Sequence, residues 1–275
     1  MEYFFRDHFQ NFKRYGLPKA QLIIADIPYN IGDNAYGSNP QWYIDGNIQN
    51  GQSEKAGASF FECDYRFSPQ DFMWFCHRMM KKEKKQRGTS PCMIVFCEFW
   101  QQFELKKWAE KANIKGCINL IFRKNYSPQV LKANMRVVGN AEYALLLYRD
   151  RLPKFNNGGR MIFNVMDWER EDTKNPLYRK IHPTQKPIAL LERLIAIFTD
   201  TNDVVIDPVA GSGTTLIAAE NTGRKYFGFE YDRKYFEPAS EWIEFNRKVQ
   251  HELRENGYSK TLALEQNQSQ GFLFD

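Results

Sequence analysis

Short, unbroken apolar runs separated by polar stretches dominate the hydrophobic pattern of the chain. Because these runs carry β-branched residues and do not alternate with polar ones, they predict strands buried on both faces of a mostly parallel sheet. The runs occupy 21–26, 93–97, 117–122, 143–148, 203–207 and 225–229. Helical segments lie between several of them, so the predicted fold class is α/β with a doubly wound sheet.

Apolar residues at helical spacing predict the helices of this fold. They are expected at 3–15, 68–80, 100–112, 188–198, 212–221 and 233–254. Ser68 is a suitable N-cap, and Pro69 and Pro187 suit the first turn of a helix. The basic run 81–87 is interpreted as the solvated end of the helix before it, with phosphate contact as the alternative.

The pattern divides the chain into two halves of one domain, 1–149 and 182–256. A polar, irregular stretch at 150–181 is interpreted as an inserted recognition or linker segment, and 257–275 as a loose tail. Within the first half, 31–66 forms a long polar insertion. Loops of that length are usually functional or disordered, so we interpret it as a mobile segment that closes over substrate, with a plain disordered loop as the alternative.

Composition narrows the functional classes. A net charge of +5 is compatible with a polyanionic partner. No apolar run is long enough to span a membrane, and the N-terminus lacks a signal-peptide layout, so we expect a cytoplasmic protein without a membrane partner. The five cysteines are odd in number and form no Cys-x-x-Cys pair. This argues for reduced thiols and against a metal site.

The first candidate site is Asp26-Ile27-Pro28-Tyr29, directly after a predicted strand. Pro28 must end that strand, and ligand sites of open α/β sheets lie at the carboxyl ends of strands. Asp26 and the carbonyls of Ile27 and Pro28 are acceptors beside the ring of Tyr29, an arrangement that suits an exocyclic amino group on a base. The plain alternative is a turn proline with a packed tyrosine.

The second candidate site follows the strand that ends at Asp207. Its glycines allow close backbone approach, and the following helix start offers free N–H groups. Glu230, at the end of the next strand, can take both ribose hydroxyls. The loop residues assigned to a ligand are Asp207, Pro208, Ala210, Gly211, Ser212, Gly213, Thr214 and Thr215. The loop lacks the lysine of a phosphate-binding loop and the glycine pattern of a dinucleotide site, which argues against both kinds of site. The remaining interpretation is a site for S-adenosylmethionine.

The tetrapeptide at 26–29 resembles the Asp-Pro-Pro-Tyr motif of amino-methylating DNA methyltransferases, with Ile27 in place of the first proline. The block Ile181-His182-Pro183-Thr184-Gln185-Lys186-Pro187, followed by the glycine loop and Gly228-Phe229-Glu230, is similar to the cofactor half of the β-class of that family. Asp7-His8-Phe9 and Glu142-Tyr143 also resemble family segments. Val209 stands where the family usually has a bulkier residue.

This resemblance implies a Rossmann-like methyltransferase fold, with 1–149 as the catalytic half and 182–256 as the cofactor-binding half. It implies methyl transfer from S-adenosylmethionine to adenine N6 of a flipped base in double-stranded DNA, with catalytic residues Asp26, Ile27, Pro28 and Tyr29. The cofactor residues implied outside the glycine loop are Asp7, His8, Asp26, Lys186 and Glu230. Lys186 is assigned to the methionine tail, with a surface charge as the alternative, and His182 to packing or capping.

Three other functions stay open: an N4-cytosine methyltransferase, a catalytically silent DNA-binding protein with this fold, and an RNA acceptor. A cognate restriction endonuclease is a candidate partner, and the chain is expected to be a monomer or homodimer. Phosphate contacts are expected from basic residues in two segments, namely Arg123, Lys124, Lys132, Arg136, Arg160, Arg170 and Arg179.

Overall fold

The computed structural model describes residues 3–29, 36–37, 67–125, 129–130, 138–168, 178–182 and 184–255. The strands among these residues are β1 (Phe4–Phe5), β2 (Leu22–Asp26), β3 (Tyr36–Gly37), β4 (Cys92–Cys97), β5 (Gly116–Lys124), β6 (Gln129–Val130), β7 (Val138–Gly139), β8 (Ala141–Tyr148), β9 (Val165–Trp168), β10 (Val204–Asp207) and β11 (Lys225–Phe229). The helices are a 3₁₀-helix (Phe9–Tyr15), α1 (Pro69–Met79), α2 (Gln101–Lys111), α3 (Ile188–Phe198), α4 (Thr214–Asn221) and α5 (Arg233–Glu255).

Eight of these strands form one sheet in the order β1-β11-β10-β2-β4-β8-β5-β9. All its neighbours pair in parallel except β8, which is antiparallel to both β4 and β5. The predicted mostly parallel α/β sheet is therefore confirmed. The reversal of β8 has one consequence for function, because it places the start of β8 at the edge where the parallel strands end.

Two buried apolar clusters cover the two faces of the sheet. One contains residues of α3, α4 and α5, such as Leu194, Leu216 and Trp242. The other contains Phe9 from the 3₁₀-helix and residues of α1 and α2 such as Phe72. Helices on both faces bury strands from both sides, which is why the strands lack polar alternation.

The predicted elements recur with small shifts in their bounds, and three features differ. The N-terminal helix begins only at Phe9, since Phe4–Phe5 pairs in parallel with β11. The basic run 81–87 lies beyond α1 rather than forming its end, because Met80 already leaves the helical conformation. The polar stretch 150–181 contributes β9 to the sheet edge, paired with β5 through Ile121 and Val165.

Most of the insertion 31–66 and the tail 257–275 lie outside the described residues. The insertion contributes β3, which pairs with β6, and β6 pairs with β7, in a second, three-stranded sheet. In the described part of the chain no helix is both long and apolar enough to cross a membrane.

Close packing of α4 on β11 depends on Gly228. A Cβ at this position would lie 2.7 Å from Leu216 Cδ1, and Leu216 is fully buried. We predict that Gly228→Ala lowers the free energy of unfolding by about 1–3 kcal/mol through overpacking. Leu216→Ala alone should cost about 2–5 kcal/mol through the cavity it leaves.

Because the leucine side chain is the obstacle, the alanine at 228 should cost much less in the Leu216→Ala background. Urea unfolding of the two single variants and the double variant measures this coupling. If the losses of stability in the two single variants simply added up in the double variant, the contact between Leu216 and residue 228 would not be the cause of the overpacking.

Candidate functional site

The two motifs singled out in the sequence lie at the same edge of the sheet. Strands β2 and β10 are parallel neighbours, with Leu22 opposite Val205 and Ile23 opposite Ile206. Asp26 ends β2 and Asp207 ends β10, so both carboxylates face the region beyond the carboxyl ends of the strands. Their proximity also appears in the pKa of Asp207, which Asp26 helps to raise. The site is thus assembled at the edge where open α/β sheets bind ligands.

The turn after Asp26 is held by hydrogen bonds on both sides of Ile27. The Ile27 N–H donates to Phe96 O on β4 (3.3 Å). The Gln101 side chain donates from Nε2 to Pro28 O (2.7 Å) and accepts from the Glu98 N–H (2.9 Å). The carbonyl of Pro28 is therefore engaged by the first residue of α2, a contact that sequence reasoning missed.

A buried lysine contacts the Asp26 carboxylate. Lys186 is 3% exposed, and its Nζ lies 2.7 Å from Asp26 Oδ2 and 3.1 Å from Glu142 Oε2. It also donates to Thr184 O (3.2 Å). The interpretation of Lys186 as a surface charge is wrong, because the residue is enclosed between two acids that neutralise it.

Glu142 connects this lysine to two further groups. Its Oε2 also accepts from the Tyr29 hydroxyl (3.1 Å), and its Oε1 lies 3.0 Å from Lys124 Nζ. Two carboxylates and two ammonium groups therefore form one cluster, in which Lys186 Nζ also lies 5.3 Å from the ring centroid of Tyr29. The formal charges of the four ionisable groups cancel.

Burial and charge act on these groups in opposite directions. Burial raises the pKa of Asp26, while Lys186 opposes that rise. Burial alone would raise the pKa of Glu142 as well, but Lys186 and Lys124 bring it below its ordinary value. Burial disfavours charged Lys186, yet the two carboxylates hold its pKa above the usual range. Lys186 is accordingly an ammonium group at neutral pH.

One atom of the cluster is buried without a hydrogen-bond partner among the described residues, and that atom is Asp26 Oδ1. Buried polar atoms are rarely left unpaired, and an unpaired one calls for an explanation such as a ligand. Asp26 Oδ1 is therefore a hydrogen-bond acceptor at the end of β2 that none of the described residues satisfies.

The glycine loop from β10 to α4 uses backbone conformations that favour glycine. Gly211 has φ +52°, and a Cβ there would meet only His182, at 4.0 Å. Gly213 has φ +77°, and a Cβ there would lie 2.9 Å from Ile243 Cδ1. Gly211 thus borders open space, where a ligand can approach the backbone, whereas Gly213 allows α5 to pack closely.

Two acids hold this loop in place. Asp207 Oδ1 accepts from the Val209 N–H (3.0 Å). Glu230 accepts from the Gly211 N–H through Oε2 (2.8 Å) and from the Asp232 N–H through Oε1 (2.6 Å). Glu230 therefore ties the end of β11 to the loop, and a ribose contact would use its remaining lone pairs.

The acid assigned to the adenine of the cofactor is surrounded by donors of its own segment. Asp7 Oδ1 accepts from the His8 N–H (2.7 Å) and from Asn11 Nδ2 (2.6 Å), and its Oδ2 accepts from the Tyr15 hydroxyl (2.7 Å). Contact with an adenine amino group would have to share or replace one of these bonds. His8 itself caps the 3₁₀-helix through Nδ1.

The remaining residues assigned from sequence have the following surroundings. His182 Nδ1 accepts from the Thr184 N–H (3.3 Å), and its ring packs on Tyr235, in line with packing or capping. Burial, with a further contribution from Lys186, lowers the pKa of His182 to about 4. The hydroxyl oxygens of Ser212, in the loop, and Thr214, at the start of α4, lie 3.5 Å apart.

The predicted phosphate contacts need correction at Lys124. Its side chain is 10% exposed and its charge is used by Glu142, so it is part of the buried cluster. Arg123 is exposed but paired with Asp167 (2.8 Å), and the guanidinium of Arg179 lies over the Phe245 ring. Arg160 is exposed. Lys132, Arg136 and Arg170 lie outside the described residues.

Glu142 and Gln101 are the site residues that sequence reasoning did not assign. An acid at the start of a parallel strand would lie at the opposite edge, so only the antiparallel direction of β8 brings Glu142 to Asp26. The signal available was the resemblance of Glu142-Tyr143 to a family segment. Among the described residues, no group of three or more His, Cys, Asp or Glu side chains could hold a metal ion.

A doubly wound sheet with an acidic turn and a glycine loop at one edge defines a Rossmann-like methyltransferase. Residues 20–241 match the DNA methylase family, and the chain belongs to that family, which uses S-adenosylmethionine. DNA adenine methyltransferase YhdJ of Escherichia coli (strain K12) is 28% identical over 247 residues, which cover 83% of this chain and 78% of that protein. Type II methyltransferase M2.DpnII of Streptococcus pneumoniae is 36% identical over 248 residues, covering 86% and 87%.

Solved structures confirm the fold. The chain superposes on the crystal structure of the M1.HpyAVI–SAM complex with a TM-score of 0.59 at 22% identity, covering 88% of this chain and 99% of that one. The PvuII DNA methyltransferase, which is cytosine-N4-specific, gives a TM-score of 0.62 at 13% identity, with 90% of each chain covered. The family and the fold expected from the sequence motifs are both confirmed.

Asp207 generates a prediction about stability and pH. Burial above all raises its pKa from 3.8 to about 7, with smaller contributions from Asp26 and Glu230. The folded state therefore binds this proton between these two values, whereas the unfolded state has released it. As a result, the contribution of Asp207 to the free energy of unfolding should fall as pH rises from about 4 to about 7.

Asp207→Asn cannot titrate and should lack this dependence, so the stability difference between wild type and variant should change across that window. Urea unfolding of both proteins at several pH values between 4 and 8 measures it. Parallel curves for the two proteins would contradict the assignment.

Proposed function

We propose that this protein transfers the methyl group of S-adenosylmethionine to the exocyclic N6 of adenine in DNA. The observation that carries the proposal is the unpartnered, buried Oδ1 of Asp26 at a sheet edge shared with the glycine loop. An amino-methylating enzyme needs an acceptor there for an N–H of a base, and the cluster around Asp26 leaves one acceptor open.

On the base side, the acceptors are Asp26 Oδ1 and the carbonyl of Ile27. The Pro28 carbonyl is engaged by Gln101, so it is the less suitable of the two turn carbonyls. Two acceptors holding the two amino hydrogens favour a pyramidal nitrogen whose lone pair is directed away from them. Ile27 in place of proline keeps this carbonyl, since every residue has one.

The base has to leave the duplex before its amino group can reach Asp26. The site lies at a sheet edge beside a closely held turn, and a base stacked inside a duplex cannot enter it. Base flipping costs a few kcal/mol. The ring of Tyr29 is assigned to stack on the flipped base, and its hydroxyl is anchored on Glu142.

On the cofactor side, the chemistry of the residues fits S-adenosylmethionine, which when bound supplies an electrophilic methyl group on a cationic sulfur. Open space beside Gly211 admits a ligand to the loop backbone. Asp26, Asp207 and Glu230 all have raised pKa values, chiefly because they are buried. A cationic ligand is favoured where buried acids lie close together, since it stabilises their ionised forms.

The chain supplies positioning and a proton acceptor rather than a nucleophile. Burial raises the pKa of Cys97, the cysteine at the end of β4, so its thiol stays protonated at neutral pH. Methyl transfer leaves the amino nitrogen with a surplus proton, which passes to Asp26 Oδ1. Holding the reacting groups in this way is worth several kcal/mol, on the order of 7 in favourable cases.

Adenine is favoured over cytosine by two observations. The motif begins with Asp26, and the family resemblance associates aspartate-type motifs with adenine. YhdJ, a relative aligned over most of its length, is named a DNA adenine methyltransferase. Cytosine N4 is the alternative, because the same two acceptors could hold its amino group.

We predict that Asp26→Ala lowers kcat for methyl transfer by at least about 100-fold, because the amino group loses its acceptor and its orientation. Incorporation of radiolabelled methyl groups into duplex DNA measures kcat, and calorimetry measures cofactor affinity. Asp150→Ala is a matched control, since that carboxylate is exposed and is not among the residues assigned to the site. If Asp26→Ala retained the wild-type kcat, the catalytic assignment would fail.

The acceptor base is tested with substrates that allow only one answer. Two series of duplexes are compared, one that lacks the N4 amino group of cytosine and one that lacks the N6 amino group of adenine. We expect methyl transfer only into the series that retains adenine N6. The reverse result would identify an N4-cytosine enzyme. Cofactor binding without transfer into either series would indicate a silent DNA-binding protein.

A further inference from the structure

We propose that Lys186 is a positioning residue for Asp26, which fixes one carboxylate oxygen and leaves the other for the base, instead of binding the methionine tail of the cofactor. This inference rests on the proposed function and deepens it. It concerns how the catalytic turn is kept ready for substrate.

The hydrogen-bonding capacity of Lys186 carries the first step. An ammonium group has three N–H donors. Lys186 Nζ has three acceptors within 3.2 Å, namely Asp26 Oδ2, Glu142 Oε2 and Thr184 O. All its donors are used inside the protein, so a carboxylate from a cofactor would have to displace one of them.

Enclosure carries the second step. The Nζ atom lies 5.2 Å from the ring centroid of Phe96 and 5.6 Å from that of Trp168, in addition to the Tyr29 ring. With 3% of its side chain exposed, Lys186 has little room to change partners. An aromatic surround of this kind stabilises a cation where it lies.

The third step concerns the one carboxylate oxygen of the cluster that has no hydrogen-bond partner among the described residues. Lys124 and Lys186 occupy the two oxygens of Glu142, Tyr29 adds a hydroxyl, and Lys186 occupies Asp26 Oδ2. Oδ1 of Asp26 is then the one carboxylate oxygen of the pair that has no partner among the described residues. The cluster therefore presents a single acceptor in a fixed orientation.

Because their charges are opposite, Lys186 and Glu142 shift the pKa of Asp26 in opposite directions. Lys186 lowers the pKa of Asp26 and Glu142 raises it. The other groups that face Asp26 are the Tyr29 hydroxyl, Asp207 at the end of β10 and the Cys97 thiol at the end of β4. None of these groups is itself substituted in either variant, and the Tyr29 hydroxyl, which donates to Glu142 Oε2, keeps an oxygen acceptor in Glu142→Gln, so the two variants can be compared.

The test uses Lys186→Met and Glu142→Gln. Methionine keeps an unbranched side chain against the rings but removes the charge, so the pKa of Asp26 should rise. Glutamine removes the opposing carboxylate, so that pKa should fall. Titration of Asp26 by ¹³C NMR in the cofactor-free protein gives both directions without any turnover. The double variant should titrate between the Lys186→Met protein and the wild type.

Kinetics and binding complete the test. In Lys186→Met, kcat should fall by up to about 100-fold at pH 7, and the acidic limb of its pH profile should move to higher pH. The dissociation constant for S-adenosylmethionine should stay within about threefold of wild type. A loss of cofactor affinity with kcat retained at saturation would assign Lys186 to the methionine tail.

The outcomes separate this inference from the proposed function. Absence of methyl transfer by the wild-type protein would overturn the function, while the NMR titration would still decide the role of Lys186. Unshifted or same-direction titrations in the two single variants would overturn the inference, even with methyl transfer intact. Should Lys186→Met unfold, the double variant, which removes one charge of each sign, keeps the comparison possible.

Discussion

The parallel pairing of β2 with β10 is the constraint on which the site depends. The two strands come from distant parts of the chain, and their register places Asp26 and Asp207 at one edge of the sheet. Each strand is also buried on both faces, so a shift of register would force side chains of different shape into close-packed surroundings. The turn at 26–29 and the glycine loop therefore share one edge because hydrophobic burial fixes the strands, before any polar contact is considered.

Four acidic side chains lie around that edge, although burial disfavours the ionised form of a carboxyl group. Asp26, Glu142, Asp207 and Glu230 all lie near the strand ends. Burial raises the pKa values of Asp26, Asp207 and Glu230, but Lys186 opposes that rise at Asp26 and, with Lys124, lowers the pKa of Glu142. The acids at the turn are thus compensated by lysines of the protein, and the proposed function assigns the acids beside the glycine loop to a cationic ligand.

Much of the fold was predictable because the apolar runs are long enough and free of polar interruption. The strands at 22–26 and 204–207 and the helix Pro69–Met79 lie within a residue or two of their predicted bounds. The strand direction of β8 was not predictable, since an apolar run looks alike in either direction. The N-terminal strand Phe4–Phe5 was also missed, because two residues are too few to show a period.

In the site, the sequence predicted the backbone motifs better than the side-chain partners. Asp26 and the glycine loop were each assigned to the end of a buried strand, and the parallel pairing of these strands brings them to one edge. Lys124 was expected to contact phosphate and is buried against Glu142 instead, while Lys186, assigned to the methionine tail, contacts Asp26 and Glu142. Their burial depends on acids that are distant in sequence, and a linear pattern carries no sign of such pairing.

The location of Lys186 also joins the two halves of the chain. It directly precedes α3 in the second half, yet its partners Asp26 and Glu142 belong to the first. A polypeptide cut within 150–164 would leave Asp26 and Glu142 in one fragment and the lysine that contacts both in the other. Each fragment would then hold an incomplete set of the charges around residues 26–29, so the geometry of this turn depends on the presence of both halves.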